Sequence, residues 1–416
     1  MNEAAPPSLR MIDFKPQDIP LEQYDISQRE LWSEDVKMDY FERLRDEAPV
    51  HYCKDSEFGP YWSVTRYADI MEIDSNWQDF SSEPAITIDD PEEDLPLPMF
   101  IAMDPPKHDD QRKTVQGAVA PANLKHLEST IRGRVQKVLD ELPLGEQFDW
   151  VDRVSIELTT QMLATLFDFP FEDRRKLTRW SDVATGGPET GVVETDEQRQ
   201  KELMECLEYF TRLWQERQAQ GLSNDFISML AHGEATKDMS PEEYLGNLIL
   251  LIVGGNDTTR NSMTGGVLAL NENPGEYAKL RNNPGVIPNM VSEIIRWQTP
   301  LAHMRRIAQR DYELNGQTIK QGDKVIMWYL SGNRDERAIE NPNEFVIDRS
   351  RARQHLSFGF GPHRCMGNRL AELQLRILWE EIQQRFHMVE VVGDVERVPS
   401  NFVHGYTKMS VVLHPL

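Results

Sequence analysis

The 416-residue sequence predicts a mainly α-helical protein with a small β region. Three observations carry that expectation. Helix-period apolar patterns dominate the middle of the chain, strand signals are few and clustered, and neither an internal repeat nor a long low-complexity linker divides it.

Taken in order, the first twenty residues hold Pro6, Pro7, Pro16 and Pro20 with little periodicity. That predicts an extended or partly disordered arm over 1–20, followed by one continuous domain over 21–416. Helical periodicity then runs through 156–167, 202–217, 241–253 and 290–297. Alternation and turn chemistry predict short strands or hairpins at 61–64, at 312–320 around Asn315-Gly316, at 324–330 and at 408–413.

Hydrophobic residues make up 39% and charged residues 27%, enough apolar material for a large core and too much for global disorder. The longest strongly apolar run, 248–253, is far too short to cross a bilayer, and no basic-then-apolar leader opens the chain, so a cytoplasmic protein without membrane insertion is expected. Forty-five Lys and Arg against 69 Asp and Glu give a formal charge of −24, which disfavours nucleic acid as a partner. The basic cluster Arg349, Arg351 and Arg353 still offers a docking patch for an acidic protein. Cys53, Cys206 and Cys365 form an odd set without paired spacing, which argues against a disulfide framework and leaves each thiol to be judged alone.

Cys365 lies in Phe358-Gly-Phe-Gly-Pro-His-Arg-Cys-Met-Gly367, directly before a stretch with apolar stripes at Leu370, Leu373 and Ile377 and at Leu375, Leu378 and Ile382. This predicts a cysteine at the N-terminus of a buried helix. There the helix dipole and free N–H groups favour a thiolate able to ligate a metal, and the glycines allow backbone to approach a flat macrocycle. Taken alone, such a cysteine is more often a packing residue. The whole pattern F-G-x-G-x-H-x-C-x-G, however, closely resembles the haem-binding signature of the cytochrome P450 family. The resemblance implies the family's triangular-prism fold, haem b as cofactor, and Cys365 as the proximal iron ligand, whose thiolate pushes electron density toward bound dioxygen.

Other positions match the same family. Glu293 and Arg296, three apart on one helix face, resemble its E-x-x-R pair, and Arg349 occupies the place of the arginine that completes a buried structural triad. Leu250-Leu-Ile-Val-Gly-Gly-Asn-Asp-Thr-Thr259 turns abruptly from apolar to glycines, an acid and hydroxyls, which predicts a local kink or, on the glycines alone, a helix end at Gly254. It resembles the family's oxygen-binding groove, which implies that Asp257 relays protons and Thr258 holds the hydroperoxide or a water within hydrogen-bond reach; Asn256 replaces a commonly hydrophobic residue. Asp104-Pro-Pro-Lys-His-Asp-Asp-Gln-Arg112 resembles the family's P-P-x-H-x-x-x-R, so His108 and Arg112, with Arg306 and His363, are expected at the haem propionates. Leu370-Ala371-Glu372 departs from the common L-A-R, where redox partners dock.

The resemblance runs from about Met38 to the C-terminus and leaves no segment for a fused reductase. An iron–sulfur ferredoxin and a flavin NAD(P)H reductase are therefore the implied electron donors. His51-Tyr-Cys-Lys, Phe58-Gly-Pro-Tyr-Trp62, Gly255-Asn-Asp-Thr-Thr-Arg-Asn-Ser-Met263, His303-Met-Arg-Arg306 and Met327-Trp-Tyr-Leu-Ser-Gly-Asn-Arg-Asp335 resemble the soluble bacterial alkane terminal hydroxylases. That implies hydroxylation of the terminal methyl of medium-chain alkanes, fatty acids or related apolar-tailed molecules. By family layout the channel walls come from 86–101, 250–254, 301–304 and 401–405. A peroxide-driven enzyme and a non-catalytic haem sensor are the rival readings; the Asp257–Thr258 pair argues against the first and the lack of an output segment against the second.

Overall fold

The structure is a computed structural model that describes residues 9–91 and 96–416. Its axis is the helix Pro241–Glu272. Pro241 opens the helix at the position where a missing N–H costs nothing, and the Ser240 hydroxyl accepts from the Glu243 N–H at 3.2 Å. Against it pack the helices Arg175–Thr185, Glu157–Leu166 and Ile287–Gln298, and apolar side chains from all of them merge into one large core. The helix does not end at Gly254. It continues for eighteen residues beyond, because burial of Asn256, Asp257 and the stretch Thr259 to Leu270 outweighs the weak propensity of the two glycines.

Five strands form the main sheet in the order β1-β2-β8-β5-β3: β1 Val50–Cys53, β2 Tyr61–Val64, β3 Phe80–Ser81, β5 Met304–Ala308 and β8 Lys324–Met327. Only β2 and β8 pair in parallel. A second sheet orders β4 Gln147–Asp149, β10 Tyr406–Pro415 and β9 Phe386–Arg397. The hairpin expected at Asn315-Gly316 is present as β6 Tyr312–Leu314 and β7 Gln317–Ile319; both turn residues have positive φ, 49° and 76°, as a tight hairpin demands. The strand expected over 324–330 stops at Met327, and Tyr329–Gly332 turns into a short helix.

Two expectations need correction. Residues 9–20 are not an extended arm: they form the 3₁₀ turns Met11–Asp13 and Pro16–Asp18, with Met11 and Ile19 buried among Tyr24, Trp32, Tyr40 and Trp328. Those two apolar side chains supply the anchor that periodicity cannot reveal. The rest of the expected arm, residues 1–8, lies outside the described residues. Arg349 is also not part of a surface cluster, since its side chain is buried against Glu293; Arg353 is 81% exposed and lies 3.6 Å from Glu372. Among the described residues, no helix is long and apolar enough to cross a membrane.

Candidate active site

A cavity of about 890 Å³ opens between the long helix and the cysteine loop. Cys365 faces into it, whereas Cys53 and Cys206 are packed in the core. The loop is fixed from several sides. The Cys365 N–H donates to Phe358 O at 2.7 Å, and the Phe360 N–H donates to the buried Asp74 carboxylate at 2.7 Å. Gly361, at φ +65°, runs so close to the backbone of Asp74 that a Cβ would lie 2.6 Å from its carbonyl oxygen. The helix Asn368–Gln383 begins three residues after Cys365, as the apolar stripes require.

The expected lowering of the thiol is not the net result. Burial pushes the Cys365 thiol up, and the N–H groups of Gly367 and Asn368 together with Arg112 and Arg364 pull it only part of the way back. The helix terminus acts in the predicted direction but is outweighed by desolvation. A metal cation bound at the sulfur would favour the thiolate against that burial.

The four residues expected at the propionates meet at the same cavity. His108, Arg112, Arg306 and His363 all line it, although His363 and His108 are 255 residues apart in sequence, and their rings lie 4.2 Å apart between centroids. His108 Nε2 and both ring nitrogens of His363 are buried without a partner. Burial, then the positive charges of Arg306, His108 and Arg112, push His363 down to about 2. Such convergence of cations and orphaned ring nitrogens is what a group carrying carboxylates would satisfy. Arg112 donates to Arg364 O at 2.6 Å, next to Cys365, and Arg306 donates to Asp74 at 2.7 Å. Asp74 also accepts from Tyr329 Oη at 2.8 Å. Neither Asp74 nor Tyr329 was legible as a site residue, because the contacts span more than two hundred positions. Sulfur donor, cation edge and cavity together fit haem b.

Across the cavity stands the glycine–acid–alcohol segment. Thr258 lines the cavity and donates its hydroxyl to Gly254 O at 2.8 Å, so the local bond pattern is diverted without breaking the helix. At Gly254 a Cβ would meet nothing within 4 Å, which leaves the wall open there. Asp257 does not point the same way. It is fully buried, accepts from Asn256 Nδ2 at 3.0 Å and from Arg260 at 2.9 Å, and has the Thr185 hydroxyl at 3.5 Å. Arg260 also holds Asp182 at 2.7 Å, whose side chain is 32% exposed. Burial, partly offset by Arg260, lifts Asp257 to about 6. The sequence reading thus finds the acid and the alcohol but misses Thr185, Arg260 and Asp182, which join the acid to the surface. Asn256 is explained: its carbonyl oxygen accepts from Thr159 at 3.0 Å while its amide holds Asp257.

The structure brings Glu293, Arg296 and Arg349 together. Glu293 accepts from Arg296 at 2.7 and 2.8 Å, from Arg349 at 3.0 and 3.3 Å, and from the Val346 N–H at 2.9 Å. All four proposed wall segments reach the cavity, though from 401–405 only Asn401 and Phe402 do, and Glu92 to Leu95 of the first segment lie outside the described residues. Leu163, Leu166 and Ala184 line it as well, from helices to which the sequence reading gave no wall role.

A cysteine facing a cation-edged seat, opposite a helix carrying an acid and an alcohol, defines the class of haem-thiolate oxygenases. Comparison with known proteins gives the same answer at the level of family. The chain belongs to the cytochrome P450 family, whose sequence profile matches residues 99–408. It is 50% identical to a solved cytochrome P450-153 from Novosphingobium aromaticivorans, over 94% of this chain and 99% of that one, with a TM-score of 0.88. It is 34% identical to the linalool 8-monooxygenase of Pseudomonas putida, over 95% of this chain and all of that protein. It is 29% identical to a methyl-branched lipid omega-hydroxylase of Mycobacterium tuberculosis, over 95% of this chain and 96% of that protein. The chain is accordingly a cytochrome P450 monooxygenase with haem b as its cofactor, and it draws on dioxygen and redox partners.

Proposed function

We propose that this monooxygenase hydroxylates the terminal methyl of medium-chain alkanes, and of fatty acids or related molecules with an apolar tail, in the cytoplasm. The balanced reaction converts R–CH₃, O₂, two electrons and two protons into R–CH₂OH and water, the electrons arriving from NAD(P)H through a flavin reductase and an iron–sulfur ferredoxin. The observation that carries the reading is the apolar surface of the cavity between Gly254 and Cys365, to which Ile86, Ile101, Leu250, Val253, Leu301 and Phe402 contribute. A terminal C–H bond is stronger than its internal neighbours, so terminal selectivity requires walls that admit only the end of a chain. The lipid omega-hydroxylase among the relatives and the resemblance to alkane hydroxylases support the same class of position.

Haem bound through Cys365 supplies activation of dioxygen. His108, Arg112, Arg306 and His363 would hold its propionates, and the Glu293–Arg296–Arg349 triad would fix the framework beneath. Thr258, whose own hydroxyl hydrogen is held by Gly254 O, would offer its oxygen as an acceptor at the cavity wall. Asp257 would take protons from the Asp182 side through reorientation about Arg260 and pass them toward Thr185 and Thr258.

The deciding experiment is turnover of octane with a surrogate ferredoxin, reductase and NADH, with product position read by gas chromatography. Predominant 1-octanol is expected; predominant internal alcohols would refute the terminal reading. The same assay tests the relay. Because Asp257 titrates near 6, both its protonated and ionised forms are present between roughly pH 5 and 7. Turnover of the wild type should therefore inflect near pH 6, and Asp257→Asn should lose that inflection and slow by about 10²-fold. An unchanged rate and pH profile in the variant would remove Asp257 from the proton path.

A further inference from the structure

Three of the walls around the cavity are tied together by one residue that does not itself line it. His303, fully buried, follows Leu301 and precedes β5. Its Nε2 accepts from the Ile88 N–H at 3.2 Å, and its Nδ1 donates to Asn401 O at 3.0 Å. These two bonds fix a single neutral tautomer. The ring also lies 5.3 Å from Phe402 and 4.9 Å from Trp328, in edge-on contact with both. Ile86, Leu301 and Phe402 line the cavity, so each tied segment carries a wall residue within two positions of the tie.

Nearby bonds act in the same sense. Arg305 donates its backbone N–H to Ile86 O and its guanidinium to Asp89 O, each at 2.8 Å, and Lys324 Nζ donates to Ile88 O at 2.9 Å. Ala302 N–H donates to Phe402 O at 2.9 Å. The segment 86–90 and the loop 400–403 are thereby fastened to the chain between them, with His303 as the one side chain among the described residues that hydrogen-bonds both.

We infer that His303 is the positioning residue that sets the width of the substrate channel, and through it the preference for the chain end over internal carbons. This rests on the terminal-hydroxylase reading for its product assay, but the tie itself can be tested without it. Removing the imidazole nitrogens leaves the Ile88 N–H and the Asn401 carbonyl without their partner, and both walls then gain freedom to part. A wider channel lets a flexible alkane bend and offer weaker internal C–H bonds. Burial pushes His303 down to about 4, which keeps the acceptor nitrogen unprotonated throughout the working range of pH.

Two variants of the haem-loaded enzyme test this. His303→Phe keeps a ring between Trp328 and Phe402 and deletes both bonds, whereas His303→Asn keeps a donor near Asn401 O but falls short of Ile88. Backbone amide exchange over 84–91 is measured by mass spectrometry, and octane products are separated by position. Both variants should exchange faster over 84–91, and His303→Phe should raise the ratio of internal to terminal alcohol about tenfold. Wild-type exchange and a wild-type product ratio in His303→Phe would overturn the inference while leaving the terminal reading intact. Should the wild type itself give no terminal alcohol, that reading fails, and the exchange data alone decide the tie: faster exchange upholds it and unchanged exchange overturns it. If His303→Phe does not retain haem, His303→Asn decides by the same two criteria.

Discussion

Replacing Cys365 by serine is expected to reduce product formation to below about 10⁻³ of the wild-type rate, a near-total loss consistent with removal of a member of an interdependent catalytic unit. The reason lies in the donor atom. A thiolate is what distinguishes this class of haem centre, because its electron density favours cleavage of the O–O bond, and the harder oxygen of serine does not replace a soft sulfur donor. The surroundings are built for sulfur, with the N–H groups of Gly367 and Asn368 and the cations Arg112 and Arg364 all favouring negative charge there. His108, Arg112, Arg306 and His363 are untouched by the change, so the variant should still take up haem. Haem content, the ferrous–CO difference spectrum and octane turnover make the check. A retained thiolate-type band would mean that another cysteine supplies the ligand, yet Cys53 and Cys206 are buried away from the cavity, with thiols that burial pushes far up.

Glu293→Gln is expected to destabilise the protein by roughly 3–5 kcal/mol, the cost of leaving buried charge without its partner. Here two guanidinium groups meet one carboxylate in the core. Arg296 and Arg349 also donate to the carbonyls of Asn333, Pro342, Glu344 and Asn341, so the glutamate holds the path of 333–349 in place. Urea unfolding of the haem-loaded protein at pH 7 is the measurement, and a loss below about 1 kcal/mol would reduce the triad to the worth of a surface pair. The sign with pH follows from Glu293 itself. Burial pushes it up, but the bonds from Arg296, Arg349 and Val346 outweigh that and hold it below its ordinary 4.5. Its contribution is therefore complete above pH 4.5 and is lost as the pH falls through the lower, folded-state value. Wild type should show that acid loss, and Glu293→Gln should lack it.

Much of this molecule is written locally. The cysteine loop packs its ligand, its glycines and the start of a helix into a dozen residues, and the acid–alcohol pair sits beside them in chemistry if not in sequence. Periodicity likewise foretells the helices, because their apolar stripes meet a core that lies on one side. It understates them as well: the apolar periodicity of the long helix runs only to Val253, beyond which glycines and polar residues hide a stretch that is mostly buried nonetheless. β9 was missed because Phe386–Arg397 mixes buried and exposed positions without strict alternation along most of its length. Arg260, Thr185, Asp74 and His303 acquire meaning only from partners far along the chain. No window of residues contains both ends of such a bond.

The Asp74 carboxylate has a bearing on how the protein comes to be made. It lies in the first fifth of the chain, and it binds Arg306, Tyr329 and the Phe360 N–H, at separations of 232, 255 and 286 residues. Closing loops of that length costs chain entropy, and the contact rewards it only when the late segments have arrived. Every residue placed around iron and propionate lies downstream of Asp74, yet the ligand loop takes its shape against it. The cysteine turn therefore cannot take its shape against Asp74 until nearly three hundred further residues have been made, because the Phe360 N–H that Asp74 binds lies 286 positions downstream.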